Sequence, residues 1–242
     1  MYRIGIDVGS TYTKYCVLED GSIKALFSEK TPVRQRDYFD AKLSALNEEY
    51  PGAEVVSCGY GRKNAAGLRN INELTALAKG CYHVLNCDGT VLDVGGQDTK
   101  LIVQEEGKLK EFFLNDKCAA GSGMFLTNTL ELLNKSFEDI DLSEEEIEPL
   151  RLSSGCAVFA QSEIVELISD NHTEDEIIRA VINQIYVKAS ALLGKAGSGT
   201  VLLSGGLSRI PGIGEFASKT LERECRTVEK GPFLAAIGCA LI

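Results

Sequence analysis

The chain has 242 residues, 44% of them hydrophobic, so it can bury a sizeable core as one large domain or as two lobes. Its formal net charge of -10 argues against nucleic acid or an anionic membrane surface as a partner. The longest apolar stretch, Phe233 to Ile242, is shorter than the roughly 20 residues that span a bilayer. Because the sequence starts directly in a strand at Tyr2, we expect no signal peptide and a cytoplasmic location.

The first half of the chain alternates predicted strands with predicted helices. The predicted strands are Ile4–Val8, Lys14–Leu18, Ile23–Ser28 and Glu54–Cys58. The predicted helices are Asp37–Tyr50, which ends at Pro51, and Asn72–Leu85. This alternation is typical of an α/β fold.

The second half is predicted to be mostly helical from Ala119 onward. Thr173 and Glu176, three residues apart, predict a capping box at the start of a long helix. A strand at Val201–Ser204 and helices from Pro211 and Pro232 follow. We predict two lobes with a nucleotide in the cleft between them: lobe I at 1–89 plus 230–242, and lobe II at 90–229.

Two stretches share one pattern of strand, aspartate, glycine turn and second strand. They read RIGIDVGSTYTK from Arg3 to Lys14 and TVLDVGGQDTK from Thr90 to Lys100. The second copy predicts a hairpin with its tight turn at Gly95–Gly96. A single Asp-x-Gly turn is usually only a hairpin. Two copies at corresponding points of the chain predict two hairpins facing each other across a phosphate. Their carboxylates, Asp7 and Asp93, suit a hydrated Mg²⁺ ion, which keeps several waters beside one or two carboxylates.

A third glycine turn follows the predicted strand near the C-terminus. The sequence there is VLLSGGLSRIPG, from Val201 to Gly212. A strand, the pair Gly205–Gly206 and a helix start suit the approach of the adenosine part of a nucleotide. The same arrangement is common in any α/β protein.

Eight cysteines are unlikely to form disulfides in a cytoplasm, so metal binding, redox chemistry or burial must explain them. Cys16, Cys58 and Cys239 stand in apolar runs and are expected to be small core residues. The sequence contains no CxxC pair, so it does not indicate a self-contained zinc or ferredoxin-type site.

Two other cysteines occur in polar, glycine-bearing segments that lead into predicted helices. The segments are NDKCAAGSGMFL with Cys118 and LSSGCAVFAQSEI with Cys156. A helix N-terminus lowers a thiol pKa and favours an anionic ligand; the alternative is two small apolar residues at helix starts. Two thiolates cannot complete a four-cysteine iron–sulfur cluster, but a symmetric dimer offers four.

In this order, IGIDVGSTYTK, TVLDVGGQDTK, NDKCAAGSG and SSGCAVFAQSE resemble the activator ATPases of 2-hydroxyacyl-CoA dehydratases, relatives of the ATPase subunits of benzoyl-CoA reductase. The resemblance covers nearly the whole chain. The hairpins alone indicate the wider superfamily of sugar kinases, acetate kinase, actin and heat-shock chaperones. The sequence departs from the family at Leu77, Met124 and Gln161, where histidine, arginine and glutamate are frequent.

This resemblance implies a two-lobed actin-like ATPase fold with duplicated, ribonuclease H-like lobes. It also implies a homodimer with one [4Fe-4S] cluster per dimer, held by Cys118 and Cys156 of each copy. ATP hydrolysis to ADP would drive a low-potential electron, supplied by a donor such as ferredoxin or flavodoxin, into a partner CoA-ester dehydratase or reductase.

On this reading, Asp7 and Asp93 hold the water ligands of Mg²⁺, and Gln97 or Asp98 positions the attacking water. The expected nucleotide-binding residues are Gly9, Ser10, Thr11, Thr13, Lys14, Gly95, Gly96, Gly205 and Gly206. Two alternatives remain: a small-molecule kinase of the amino-sugar type, and a non-redox ATP-dependent assembly protein. Both leave Cys118 and Cys156 without a role.

Overall fold

The computed structural model describes residues 1–65, 69–115, 118–143 and 149–242. The chain divides into two compact units. The first comprises Met1–Asp88, Ile102–Glu111 and Glu229–Ile242, and the second comprises Gly89–Leu101 and Phe112–Val228. Within the described ranges, no helix has both the length and the apolar character needed to cross a membrane.

The secondary structure alternates as the sequence predicted. The strands are β1 (Tyr2–Val8), β2 (Tyr12–Glu19), β3 (Ser22–Lys30), β4 (Glu54–Cys58), β5 (Arg69–Asn70), β6 (Gly89–Val94), β7 (Thr99–Glu105), β8 (Lys108–Asn115), β9 (Val201–Gly205) and β10 (Cys225–Thr227). The helices are α1 (Gln35–Glu49), α2 (Glu73–Leu85), α3 (Gly123–Leu132), α4 (Ala157–Ser169), α5 (Glu174–Leu193), α6 (Ile213–Leu221) and α7 (Leu234–Ala240).

The first unit is built on a five-stranded sheet in the order β3-β2-β1-β4-β5. β1 is antiparallel to β2 and parallel to β4. Side chains alternate between the two faces of a strand, so Ile4 and Ile6 pack with Phe39 of α1. On the opposite face, Gly5 lets the backbone of α7 approach, because a Cβ there would lie 1.9 Å from the carbonyl oxygen of Ala236.

The other sheet has the order β10-β9-β6-β7-β8. The second unit contains the apolar cluster that packs beside its strands β6 and β9. Its core is one cluster of apolar side chains in which α5 supplies many of the buried residues. The predicted capping box at the start of α5 is confirmed, since Thr173 Oγ1 accepts from Glu176 N and Glu176 Oε2 accepts from Thr173 N. The helix is therefore fixed at its N-terminal end as well as by its buried face.

The two sheets have the same strand order. Read from the outer strand of each hairpin, the first is β3-β2-β1-β4-β5 and the second is β8-β7-β6-β9-β10. In each sheet the central strand carries the hairpin aspartate and runs parallel to the strand that follows it in the order, β4 or β9. The repeated motif in the sequence thus corresponds to a repeated topology.

Candidate functional site

The first hairpin places Asp7 at the buried end of β1. Asp7 is paired with Lys14 across the antiparallel ladder, and Lys14 Nζ lies 3.1 Å from Asp7 Oδ2. The side chain of Asp7 is 7% exposed and that of Lys14 is 26% exposed. On the parallel side, Cys58 Sγ lies 3.8 Å from Asp7 Oδ1, a weak donor contact. Asp7 therefore lies beside a cationic partner, Lys14, and a weak donor, Cys58.

The turn of this hairpin, residues 9–11, is held by Thr31 immediately after β3. Thr31 Oγ1 donates to Gly9 O at 2.8 Å, and Thr31 N donates to Thr11 O at 2.9 Å. The buried hydroxyl of Thr13 lies 3.0 Å from Thr31 Oγ1. Ser10 stands exposed at the tip. The predicted phosphate-binding residues of this turn are thus brought together on a fixed backbone.

The second hairpin encloses a denser group of charges. Asp93 Oδ1 accepts from Ser204 Oγ at 2.8 Å, and Asp93 Oδ2 lies 3.6 Å from Lys100 Nζ. Lys100 Nζ also lies 2.8 Å from Asp98 Oδ1. The side chains of Lys100 and Asp98 are each 7% exposed, and that of Asp93 is 15% exposed. The buried ammonium group of Lys100 therefore lies close to two carboxylates, those of Asp93 and Asp98.

The turn between β6 and β7 is longer than the sequence predicted. A tight turn at Gly95–Gly96 was expected, but the strands end at Val94 and resume at Thr99. A hydrogen bond of 2.9 Å from Gly95 N to Asp98 O closes the four-residue turn. A Cβ at Gly95 would lie 2.7 Å from Asp98 Oδ1, so only glycine leaves room for the buried aspartate.

The two residues predicted to position a water differ in their surroundings. Asp98 is buried and bonded to Lys100. Gln97 is exposed, with its Nε2 3.9 Å from Met124 Sδ. Gln97 therefore keeps more freedom to orient a bound molecule than Asp98 does.

The second turn is hydrogen-bonded to the segment that follows Cys118. Gly123 N donates to Gly95 O at 2.8 Å, and Met124 N donates to Gly96 O at 2.9 Å. The first N–H groups of a helix have no partner within the helix, so the turn carbonyls satisfy the start of α3. Thr99 Oγ1 donates to Gly121 O in the same segment.

Cys118 and Cys156 both stand immediately before helical turns. Cys156 is the N-cap of α4 and is exposed, as predicted. Cys118 is partly exposed and precedes a 3-10 turn at Ala119–Gly121, not an α-helix directly. This corrects the predicted helix start, because α3 begins at Gly123 where the turn carbonyls cap it. Residues 116 and 117 of the predicted segment lie outside the described residues.

The loop before Cys156 is held by Glu163 of α4. Ser153 N donates to Glu163 Oε1 at 2.6 Å, and Ser154 N donates to Glu163 Oε2 at 3.1 Å. Partial burial raises the pKa of Glu163, but these hydrogen bonds lower it by more, so the net shift is downward. The carboxylate is therefore held in its charged form and fixes the approach of the chain to Cys156.

The remaining cysteines separate by burial. Cys16, Cys58 and Cys239 are buried, which confirms the prediction for them, and Cys81 and Cys225 are buried as well. Burial, with a smaller effect of Cys239, raises the pKa of Cys16 to about 12, so its thiol stays protonated. Cys87, Cys118 and Cys156 have accessible surface. Among the described residues, no group of three or more His, Cys, Asp or Glu could hold a metal ion.

The glycine pair after β9 has two distinct roles. Gly205 has φ of +83°, and a Cβ there would lie 2.2 Å from Val94 O on the adjacent strand. It therefore allows β9 to lie against the end of β6. A Cβ at Gly206 would meet nothing within 4 Å, so Gly206 borders open space, as close approach of a ligand would require.

Sequence reasoning missed Lys100, Ser204 and Thr31. The signal for Lys100 was present, because both hairpins read DVG-x-x-x-TK. Aligning the two copies makes Lys100 the counterpart of Lys14, and Thr99 the counterpart of Thr13. Ser204 and Thr31 had no such signal, since only the strand order brings them to the hairpins.

Solved structures define the class of fold. The chain superimposes on the activator of the 2-hydroxyisocaproyl-CoA dehydratase from Clostridium difficile with bound ADPNP, with a TM-score of 0.90 and 29% identity, covering 100% of this chain and 93% of the other. A ROK family glucokinase from Streptomyces griseus has the same fold, with a TM-score of 0.59 and 15% identity over 99% and 98% of the chains. The predicted two-lobed actin-like ATPase fold is thereby confirmed.

Sequence comparison defines the family. Residues 4–242 match the BadF/BadG/BcrA/BcrD ATPase family, and the chain belongs to it. It is 31% identical to the activator of lactoyl-CoA dehydratase from Anaerotignum propionicum, over 100% of this chain and 96% of that protein. It is 30% identical, with the same coverage, to the (R)-2-hydroxyglutaryl-CoA dehydratase activating ATPase from Acidaminococcus fermentans. The predicted resemblance is confirmed.

Proposed function

We propose that this protein is an ATP-dependent reductive activator of a CoA-ester dehydratase or reductase. Two copies hold one [4Fe-4S] cluster, and ATP hydrolysis drives a low-potential electron from it into the partner enzyme. A ferredoxin or flavodoxin supplies that electron. Relatives matched along the whole chain are named as activators of such dehydratases.

The single observation that carries the proposal is the hydrogen-bonded connection between the second hairpin and the Cys118 segment. The carbonyls of Gly95 and Gly96 cap α3, and Thr99 bonds to Gly121. A change of nucleotide at the turn would alter these bonds and shift the segment that carries Cys118. A small-molecule kinase has no use for such a link to a cysteine.

The cysteines fit half of a cluster site. Cys118 and Cys156 have accessible surface and stand immediately before helical turns, so both thiols can be reached by a ligand. One chain offers two such thiols and a [4Fe-4S] cluster needs four ligands, so a second copy supplies the others. Val158 and Phe159, each 71% exposed, directly follow Cys156. Large exposed apolar side chains at this point support an interface there.

The hairpins fit a nucleotide and its metal ion. Asp7 and Asp93 bind the waters of Mg²⁺, which supplies neutralisation of the phosphate charge. The turn residues and Lys14 bind phosphate oxygens, and the open side of Gly206 borders the adenosine. Gln97, or Asp98 if Lys100 releases it, positions the attacking water. The bound ADPNP in the Clostridium difficile activator supports the binding of an adenine nucleotide.

The test is iron content after anaerobic purification. Cys118→Ser and Cys156→Ser should each lose the cluster and the dimer, because each removes two of four ligands per dimer. Cys87→Ser is the matched control, since Cys87 is also exposed, and Cys16→Ser and Cys225→Ser are buried controls. The controls should keep full iron. Equal iron content in all five variants would overturn the cluster assignment.

A further inference from the structure

We infer that Lys100 is a positioning residue that offsets half of the charge of Asp93 and Asp98, so that the site accepts a nucleotide anion more readily before Mg²⁺ is present. Its ammonium lies 2.8 Å from Asp98 Oδ1 and 3.6 Å from Asp93 Oδ2. All three side chains are at most 15% exposed. Buried carboxylates of this kind need a partner, because desolvation is costly for an unpaired charge.

Lys14, the counterpart of Lys100 in the first hairpin, lies in a more exposed position. Lys14 Nζ lies 3.1 Å from Asp7 Oδ2, and the side chain of Lys14 is 26% exposed, against 7% for Lys100. The side chain of Asp7 is itself only 7% exposed, so it is as buried as Asp98. The second hairpin differs because Lys100 lies beside two such carboxylates, Asp93 and Asp98, so its positive charge reduces their joint repulsion of an incoming phosphate.

Removal of Lys100 should have opposite consequences for the nucleotide and for the metal ion. Without the positive charge of Lys100, Asp93 and Asp98 repel a nucleotide phosphate more strongly, which weakens binding without Mg²⁺. The same carboxylates attract a divalent cation, so Mg²⁺ recovers much of the lost affinity. The distinctive quantity is the ratio of nucleotide Kd in EDTA to nucleotide Kd in saturating Mg²⁺.

The experiment measures this ratio with a fluorescent ADP analogue on the anaerobically purified protein. For Lys100→Gln we expect the ratio to rise about tenfold, the effect of one unit charge a few ångströms away in a partly solvated site. Lys100→Arg should restore the wild-type ratio, because it keeps the charge. Lys110→Gln, an exposed lysine paired with Glu105, is the control and should change nothing.

A second variant keeps the test decisive if Lys100→Gln is poorly folded. Lys100→Gln combined with Asp98→Asn removes one charge of each sign, so the ratio should return toward the wild-type value. An unchanged ratio in folded Lys100→Gln, or no recovery in the double variant, would overturn the inference. The inference rests on the proposed function, but the two fail differently: if the wild-type protein binds no ADP analogue, the nucleotide site itself is wrong.

Discussion

The two DVG-x-x-x-TK hairpins have the same sequence pattern and the same place in their sheets, but different neighbours. In the first, the turn is anchored by Thr31, which belongs to the same small sheet region. In the second, the turn carbonyls cap α3, and the threonine of the motif reaches the segment after Cys118. One copy is fixed to its own sheet, whereas the other is connected to a cysteine segment.

The threonines of the motif show this difference most clearly. Thr13 and Thr99 are both fully buried, and the hydroxyl of each forms a hydrogen bond. Thr13 bonds to Thr31, so its bond only strengthens the hairpin. Thr99 bonds to Gly121, three residues after Cys118. Both copies of a duplicated motif can thus contact the same ligand, while only one copy is hydrogen-bonded to the cysteine segment.

The largest effect is expected from removing the hairpin carboxylates. Asp7→Asn and Asp93→Asn should each reduce Mg²⁺-dependent ATP hydrolysis by more than about a hundredfold, because each removes a charge that orients the metal ion. Iron content should remain at the wild-type level, because the hydrogen bonds to the Cys118 segment come from Gly95, Gly96 and Thr99 and not from Asp93. Hydrolysis by both variants at the wild-type rate would show that the hairpins are not the phosphate site.

The next largest effect is a difference in stability between variants of the two glycines after β9. Gly205→Ala should lower the free energy of unfolding by about 2–4 kcal/mol, because it combines a strained positive φ with overlap against Val94 O. Gly206→Ala is the matched control and should leave stability nearly unchanged. Denaturant unfolding of the two variants measures both. Similar losses of stability in the two would contradict the assigned roles.

The smallest effect is expected from the motif threonines, and it tests whether the two hairpins differ in their connection to the cysteines. Thr99→Val and Thr13→Val each remove one buried hydrogen bond, so each should cost about 1 kcal/mol of stability. Only Thr99→Val should also speed the loss of iron to a chelator, because only its bond reaches the Cys118 segment. Chelator kinetics followed by absorbance compare the two variants. Equal rates would mean that the hairpins do not differ in their connection to the cysteines.

Much of this arrangement was predictable because it depends on local patterns. The alternation of strands and helices, the capping box at Thr173 and the burial of Cys16 follow from periodicity and local side-chain chemistry. The hairpins were predictable because the same motif occurs twice. These features are encoded within a dozen residues of sequence.

The features that sequence reasoning missed depend on contacts between distant segments. Ser204 reaches Asp93 only because β9 pairs with β6, and no local sequence pattern predicts that pairing. The four-residue turn after β6 arises because Asp98 turns inward to Lys100. The start of α3 at Gly123 depends on the carbonyls of Gly95 and Gly96 in that four-residue turn. Such details require the tertiary structure.

The most direct test of the central claim is the affinity of ADP and of a non-hydrolysable ATP analogue for the oxidised and the reduced protein, measured anaerobically. If nucleotide binding at the second hairpin is coupled to the cysteine segment, the redox state of the cluster must change nucleotide affinity, because binding linkage is reciprocal. We expect a difference of about fivefold or more for at least one nucleotide. Identical affinities in both redox states would contradict the account.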